Sequence, residues 1–213
     1  MATPAPDLTE ARAADKALVD RILAGEEQAF AELVETHHAS MLRLAHAYVS
    51  STAVATEVVQ ETWMAVLKGL ARFEGRAALK TWIFRILTNR AKTRGVKEGR
   101  SIPFTAMEPE DREPAVDPAQ FSRKGSWTDS PSQWEVTTPE DMLERKQAMQ
   151  ALKEALEHLP PQQRLVVTMR DVEGLDSKDV CNVLEISETN QRVLLHRGRS
   201  KLRRLLDGHL VGS

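Results

Sequence analysis

The stretch DSKDVCNVLEISETNQRVLLHRGRSKLRRLL, residues 176–206, carries the decisive pattern. Asp176 stands before a short apolar-periodic run that ends near Leu184. Glu185 and Ile186 follow, then Ser187 and a much longer run. Asp and Ser suit helix starts, because a side-chain oxygen accepts from an orphan N–H of the first turn. A short helix, a three-to-four-residue turn and a second helix loaded with Arg is the helix-turn-helix pattern. Along the second helix Arg192, His196, Arg199 and Arg203 recur on one face. Leu195, Gly198, Leu202 and Leu205 fall on another, which can pack inward. The start of this helix holds Ser187, Thr189, Asn190, Gln191 and Arg192, groups that bond base edges or phosphates. Arg matches guanine bidentately, and Asn or Gln matches adenine. With His196, Arg197 and Arg199 these are the candidate duplex contacts.

Working outward, Pro160 and Pro161 start a helix running to about Glu173, and Gly174 stops it. An amphipathic helix covers 140–158. In the N-terminal half, spacing predicts helices over 15–24, 26–49, 53–70 and 78–94, after a flexible N-terminus over 1–14. The third carries Val54, Val58, Val59, Trp63, Val66, Leu67 and Leu70 as its apolar stripe. Six of the ten prolines lie between Pro103 and Pro139. No helical period survives there, so 101–138 reads as an irregular linker. The expected fold is all-α: two small helical domains, 15–100 and 139–213, joined by that linker, with the helix-turn-helix in the second.

Net charge is only -2, but its distribution is uneven. Residues 68–100 hold 10 basic against 2 acidic side chains, while 1–67 hold 4 against 10. Such local stripes suit polyanion contacts, although a solvated helix face gives the same count. The first stripe interleaves charge with rings: Phe73, Arg76, Lys80, Trp82, Phe84, Arg85, Arg90, with Asn89 among them. A cationic surface with rings that stack on bases holds single-stranded nucleic acid. Phe84 alone reads as core. The turn Phe73-Glu74-Gly75-Arg76 is more telling, since it joins an aromatic, a flexible backbone and a cation.

These blocks together resemble a bacterial RNA polymerase sigma factor of the sigma-70 family, extracytoplasmic-function (ECF) subgroup. The first domain of that family reads roughly A-E-D-L-V-Q-E-T-F; here Ala55-Thr56-Glu57-Val58-Val59-Gln60-Glu61-Thr62-Trp63 stands. The family's F-x-G and R-T-W-L-x-R-I-x-x-N are matched by Phe73-Glu74-Gly75 and by Lys80 to Asn89. Its L-P-P-x-Q-R, R-D-V-E-G-L-S, L-x-I-S-E and L-H-R-A-R are matched at Leu159–Arg164, Arg170–Asp176, Leu184–Glu188 and Leu195–Arg199. Departures are Glu57 for the usual Asp, Thr93 where an Asp often stands, a longer linker with Trp127 and Trp134, and Glu185 for the turn glycine. If that last position needs positive φ, a non-glycine costs about 1 kcal/mol.

The resemblance implies roles. Glu57, Gln60 and Glu61 would grip core RNA polymerase. Phe73, Gly75, Arg76, Lys80, Trp82, Arg85, Asn89 and Arg90 would recognise and open the minus-ten element of promoter DNA. The helix from Ser187 would read the minus-thirty-five element. An anti-sigma factor is a further implied partner. The acidic linker would run through channels otherwise used by nucleic acid, or serve as a solvated tether.

Other classes are poorly supported. One cysteine, Cys181, allows no disulfide framework. His37 and His38 diverge by ~100° on a helix and cannot share a metal. No phosphate loop or nucleophile motif appears, so no enzyme, metal or cofactor is expected. No apolar run approaches membrane-spanning length, and the start lacks a signal-peptide pattern, so a soluble cytoplasmic protein is expected. A stand-alone helix-turn-helix regulator would explain 160–206 but not 73–94.

Overall fold

A computed structural model describes residues 8–100, 102 and 139–210. Among them every regular element is a helix: α1 Leu8–Leu23, α2 Glu27–Ala45, α3 Thr52–Gly69, α4 Leu79–Lys97, α5 Pro139–Glu157, α6 Pro161–Val167, α7 Ser177–Leu184 and α8 Glu188–Leu210. The chain divides into two compact units. The first comprises residues 1–103 with 173–186, and the second 104–172 with 187–213. The linker expectations, including Trp127 and Trp134, lie outside the described residues.

In the first unit α2, α3 and α4 pack on one another, α1 lies on α2, and α7 lies on α4. The core is aliphatic: Leu33, Met41 and Leu44 from α2, Val58, Val59 and Val66 from α3, and Leu79, Ile83, Phe84 and Leu87 from α4 are all buried. Each such side chain contributes roughly 1.5–3 kcal/mol on leaving water. Trp63 meets the Phe30 ring edge-on at 5.8 Å. α3 has a local cap, Ser51, whose hydroxyl accepts from the Val54 N–H at 3.3 Å. α4 has none of its own. Asp15, sixty-four residues earlier on α1, accepts from the Leu79 N–H at 2.7 Å. A carboxylate there satisfies an orphan donor and faces the positive end of the helix.

In the second unit α8 packs along α6 and α5. Leu165, Val166, Val167, Met169, Leu194 and Leu195 are buried. Beyond Val167 the chain widens into a π turn over Thr168–Val172, where the sequence pattern predicts continuous α-helix. This turn carries Asp171, which receives Arg199 from α8.

Boundaries differ elsewhere too, most clearly at α1 and α2. α1 begins at Leu8 rather than at 15, because Ala11 to Ala14 are good helix formers that extend the helix although none of them is buried. α2 stops at Ala45, and Ala47, Tyr48 and Val49 bury their side chains from a turn instead. Asp176 and Ser187 cap as expected, accepting from the N–H groups of Asp179 and Asn190. Glu185 sits at φ 58°, ψ 45°, the left-handed region that the family's glycine would occupy without strain.

Candidate nucleic-acid interface

The basic helix α4 presents three different surfaces. At its start, Phe73 and Trp82 form a tilted ring pair with centroids 5.3 Å apart. The turn before α4 is possible because Gly75 takes φ 67°. It leaves Arg76 exposed, paired with Glu74 of the same turn. An open hollow of about 410 Å³ lies here, with Phe73, Gly75, Arg76, Trp82, Arg85 and Asn182 among its walls. Two aromatic faces beside exposed cations can hold an unstacked base and the phosphates on either side of it.

Farther along, Asn89 and Arg90 line a separate groove of about 510 Å³ with Glu61, Arg94 and Lys97. Arg90 approaches Glu61 at 3.4 Å, and Arg94 approaches Glu57 at 2.6 Å. The carboxylates expected to meet polymerase thus already have cationic neighbours on α4. These pairs are exposed on both sides, so each contributes little to stability, about 0–1 kcal/mol.

Lys80 belongs to neither hollow. Its ammonium lies 5.4 Å from the centroid of the buried Phe84 ring and 3.0 Å from the Glu173 carboxylate. It also donates to the Glu173 carbonyl at 2.7 Å. Arg43 approaches the same carboxylate at 2.6 Å. Burial alone would raise the Glu173 pKa. Hydrogen bonds from Arg43, Ser40 and Lys80 outweigh it and hold the carboxyl below its ordinary value.

Glu57, Gln60 and Glu61 lie exposed on one arc of α3. Two large apolar side chains extend that arc: Met64 is 56% exposed and Leu67 41%. The placement of Leu67 in the core stripe is therefore corrected. Seven residues beyond Gln60, it returns to the Gln60 azimuth rather than to that of Val59 and Val66. Met64 went unread in the sequence, although its spacing from Gln60 and Glu61 places it on the same arc.

On α8 the expected single basic face divides. Arg192 and Arg203 are exposed, as are Ser187 and Thr189. Asn190, His196 and Arg197 are half-buried. Gln191, at 1% exposure, and Arg199, at 6%, are buried. Arg199 donates through Nε to the Asp171 carboxylate at 2.8 Å, with a second contact from its Nη2. This bidentate pair fastens α8 to the turn after α6.

No described helix is long and apolar enough to cross a membrane. A model of sigma-70 region 2 matches residues 33–101, and one of sigma-70 region 4 matches residues 149–202. The ECF RNA polymerase sigma-E factor of Salmonella typhimurium is 27% identical over 188 residues, covering 88% of this chain and 92% of that protein. The RNA polymerase sigma-H factor of Pseudomonas aeruginosa is 28% identical over 192 residues, covering 90% and 93%. Among solved structures, CnrH in complex with the cytosolic domain of CnrY shares the fold at a TM-score of 0.55 and 20% identity, over 92% of this chain and 98% of that one. The sigma factor RpoE of Bartonella quintana, in complex with the anti-sigma factor NepR, gives 0.54 and 22%, over 84% and 96%. With both regions matched on their own helices, and with relatives aligned along nearly the whole chain, this protein belongs to the sigma-70 family of RNA polymerase sigma factors, in the ECF group.

Proposed function

We propose that this sigma factor uses the α3 arc to bind core polymerase, the Phe73–Trp82 hollow to open the minus-ten element, and the exposed start of α8 to read the minus-thirty-five element. The observation that carries this reading is the ring pair of Phe73 and Trp82 beside Arg76 and Arg85. A duplex-only regulator has no use for an aromatic receiver. Opening a promoter requires a base to leave its stack, at a cost of a few kcal/mol, which a receiving surface offsets. Asn89 and Arg90 take the strand farther along α4. Met64 and Leu67 join Glu57, Gln60 and Glu61 in the polymerase contact, where apolar side chains next to charged ones suit a protein partner.

On α8, Ser187, Thr189, Asn190, Arg192 and Arg197 supply base and phosphate contacts. Gln191 and Arg199 seat the helix from behind. The protein performs no chemistry of its own. It works in the cytoplasm, where core polymerase is, and an anti-sigma factor restrains it, as NepR binds the Bartonella relative.

Co-purification with core polymerase, followed by promoter-dependent transcription in vitro, tests the whole reading. Failure of both would sink it. Within that assay, Trp82→Ala lowers promoter opening, read by permanganate reactivity of unpaired thymines, while polymerase binding is retained. An equal loss of both would mark Trp82 as structural.

A further inference from the structure

We propose that Glu173 is a latch, which in the free chain holds residues 173–186 against α4 and keeps a DNA strand off that helix until it releases. The inference rests on the reading of α4 as the strand-binding helix. All the groups involved lie in the first unit.

The Glu173 side chain is only 4% exposed, yet it carries a carboxylate between two cations. Arg43 on α2 reaches one oxygen at 2.6 Å, and Lys80 on α4 reaches the other at 3.0 Å. Lys80 also bonds the Glu173 carbonyl, so it grips the backbone as well as the side chain. A buried carboxylate is tolerated only while such partners remain, which makes this point an all-or-none fastening. Behind it, Val180, Val183 and Leu184 of α7 are buried.

The segment so held sits where a strand would go. Lys80, a candidate phosphate contact, is spent on Glu173. Asn182 forms part of the wall of the hollow that also contains Phe73, Arg76, Trp82 and Arg85. Glu185 approaches Arg85 at 3.8 Å. Two carboxylates therefore face two of the cations that a strand needs, and those cations are engaged while the segment is held. Release frees both cations and removes the Asn182 wall of the hollow in one movement.

The test uses the full-length chain without polymerase, with a fluorescein-labelled 15-nucleotide single-stranded DNA of mixed sequence as the probe. Hydrogen exchange of residues 80–86 and 177–184 reports on the latch itself. Glu173→Gln should speed exchange in both segments tenfold or more and tighten probe binding at least fivefold. Arg43→Gln removes one of the two ion pairs from the exposed side, so it serves if Glu173→Gln does not fold, and it should shift both readouts the same way by less. Unchanged exchange in the folded variants would overturn the latch. Faster exchange with no gain in probe binding would overturn its blocking role. Promoter opening by a holoenzyme carrying both Asn89→Ala and Arg90→Ala, neither of which touches Glu173, tests the underlying reading on its own: retained opening would count against α4 as the strand helix, whatever the exchange data show.

Discussion

Arg192 and Arg199 stand two turns apart on α8 and look equivalent in the sequence, yet one is exposed and the other buried. Arg192 is exposed and is bonded only loosely to Glu188, at 3.4 Å. Its replacement by alanine should leave stability within about 0.5 kcal/mol and weaken promoter binding by roughly 1–3 kcal/mol. Arg199 is buried on Asp171. Arg199→Ala should instead destabilise the second unit by roughly 2–3 kcal/mol, the low side for a broken buried pair because Asp171 is partly solvated. Urea denaturation and a promoter-binding titration on both variants separate the two roles. A destabilised Arg192→Ala with unaltered DNA affinity would reverse the assignment. Nothing in the spacing of the arginines announces this difference, since it depends on where the π turn places Asp171.

At the scale of single helices, α3 and α4 show how much a periodic pattern conveys and where it stops. The buried arc of α3 was legible, except for Leu67, which lies next to that arc and faces out. Met64→Ala and Leu67→Ala together should weaken polymerase binding tenfold or more with little loss of stability, because neither side chain leaves a cavity. A large drop in the urea midpoint instead would return them to the core. α4 was legible as a helix, but its cap was not, because Asp15 is remote in sequence. Its packing at Gly95 was equally silent. A Cβ there would stand 2.5 Å from the Tyr48 carbonyl oxygen and 3.2 Å from that of Arg100. Backbone atoms cannot swing aside, so Gly95→Ala should destabilise the first unit by about 1–3 kcal/mol, whereas alanine in an open helix position stabilises. Unchanged or raised stability would show that the turn after α2 yields.

Among the groups through which pH acts on the first unit are His37 and Glu173. Burial, and then the Lys80 ammonium, lower the His37 pKa below its ordinary 6.5, with Glu173 and Asp15 opposing. The unfolded chain therefore takes up this proton more readily than the folded one. The resulting stabilisation is present above about pH 6.5 and is lost as pH falls through the folded value. Glu173 behaves likewise lower down: its folded pKa lies below 4.5, so its contribution holds above that pH and fades as acid protonates it. The urea midpoint should fall in two stages, the upper below about pH 6.5 and the lower below about pH 4.5, and His37→Gln should flatten the upper stage. An identical upper stage in wild type and His37→Gln would place that titration on another group.

The sequence by itself determined the run of helices, the caps at Asp176 and Ser187, and the family. Each of these is written in neighbouring residues, as a period of 3.6, a side chain next to an orphan N–H, or an ordered run of motif blocks. It also gave the condition under which Glu185 would be strained, a positive φ, and the structure has Glu185 at φ 58°. Only the tertiary structure decided which arginines face out, what caps α4, why Gly95 must stay small, and that Lys80 is held by Glu173. Those facts join residues far apart along the chain, and hydrophobic periodicity carries no information about which distant carboxylate a buried cation will meet.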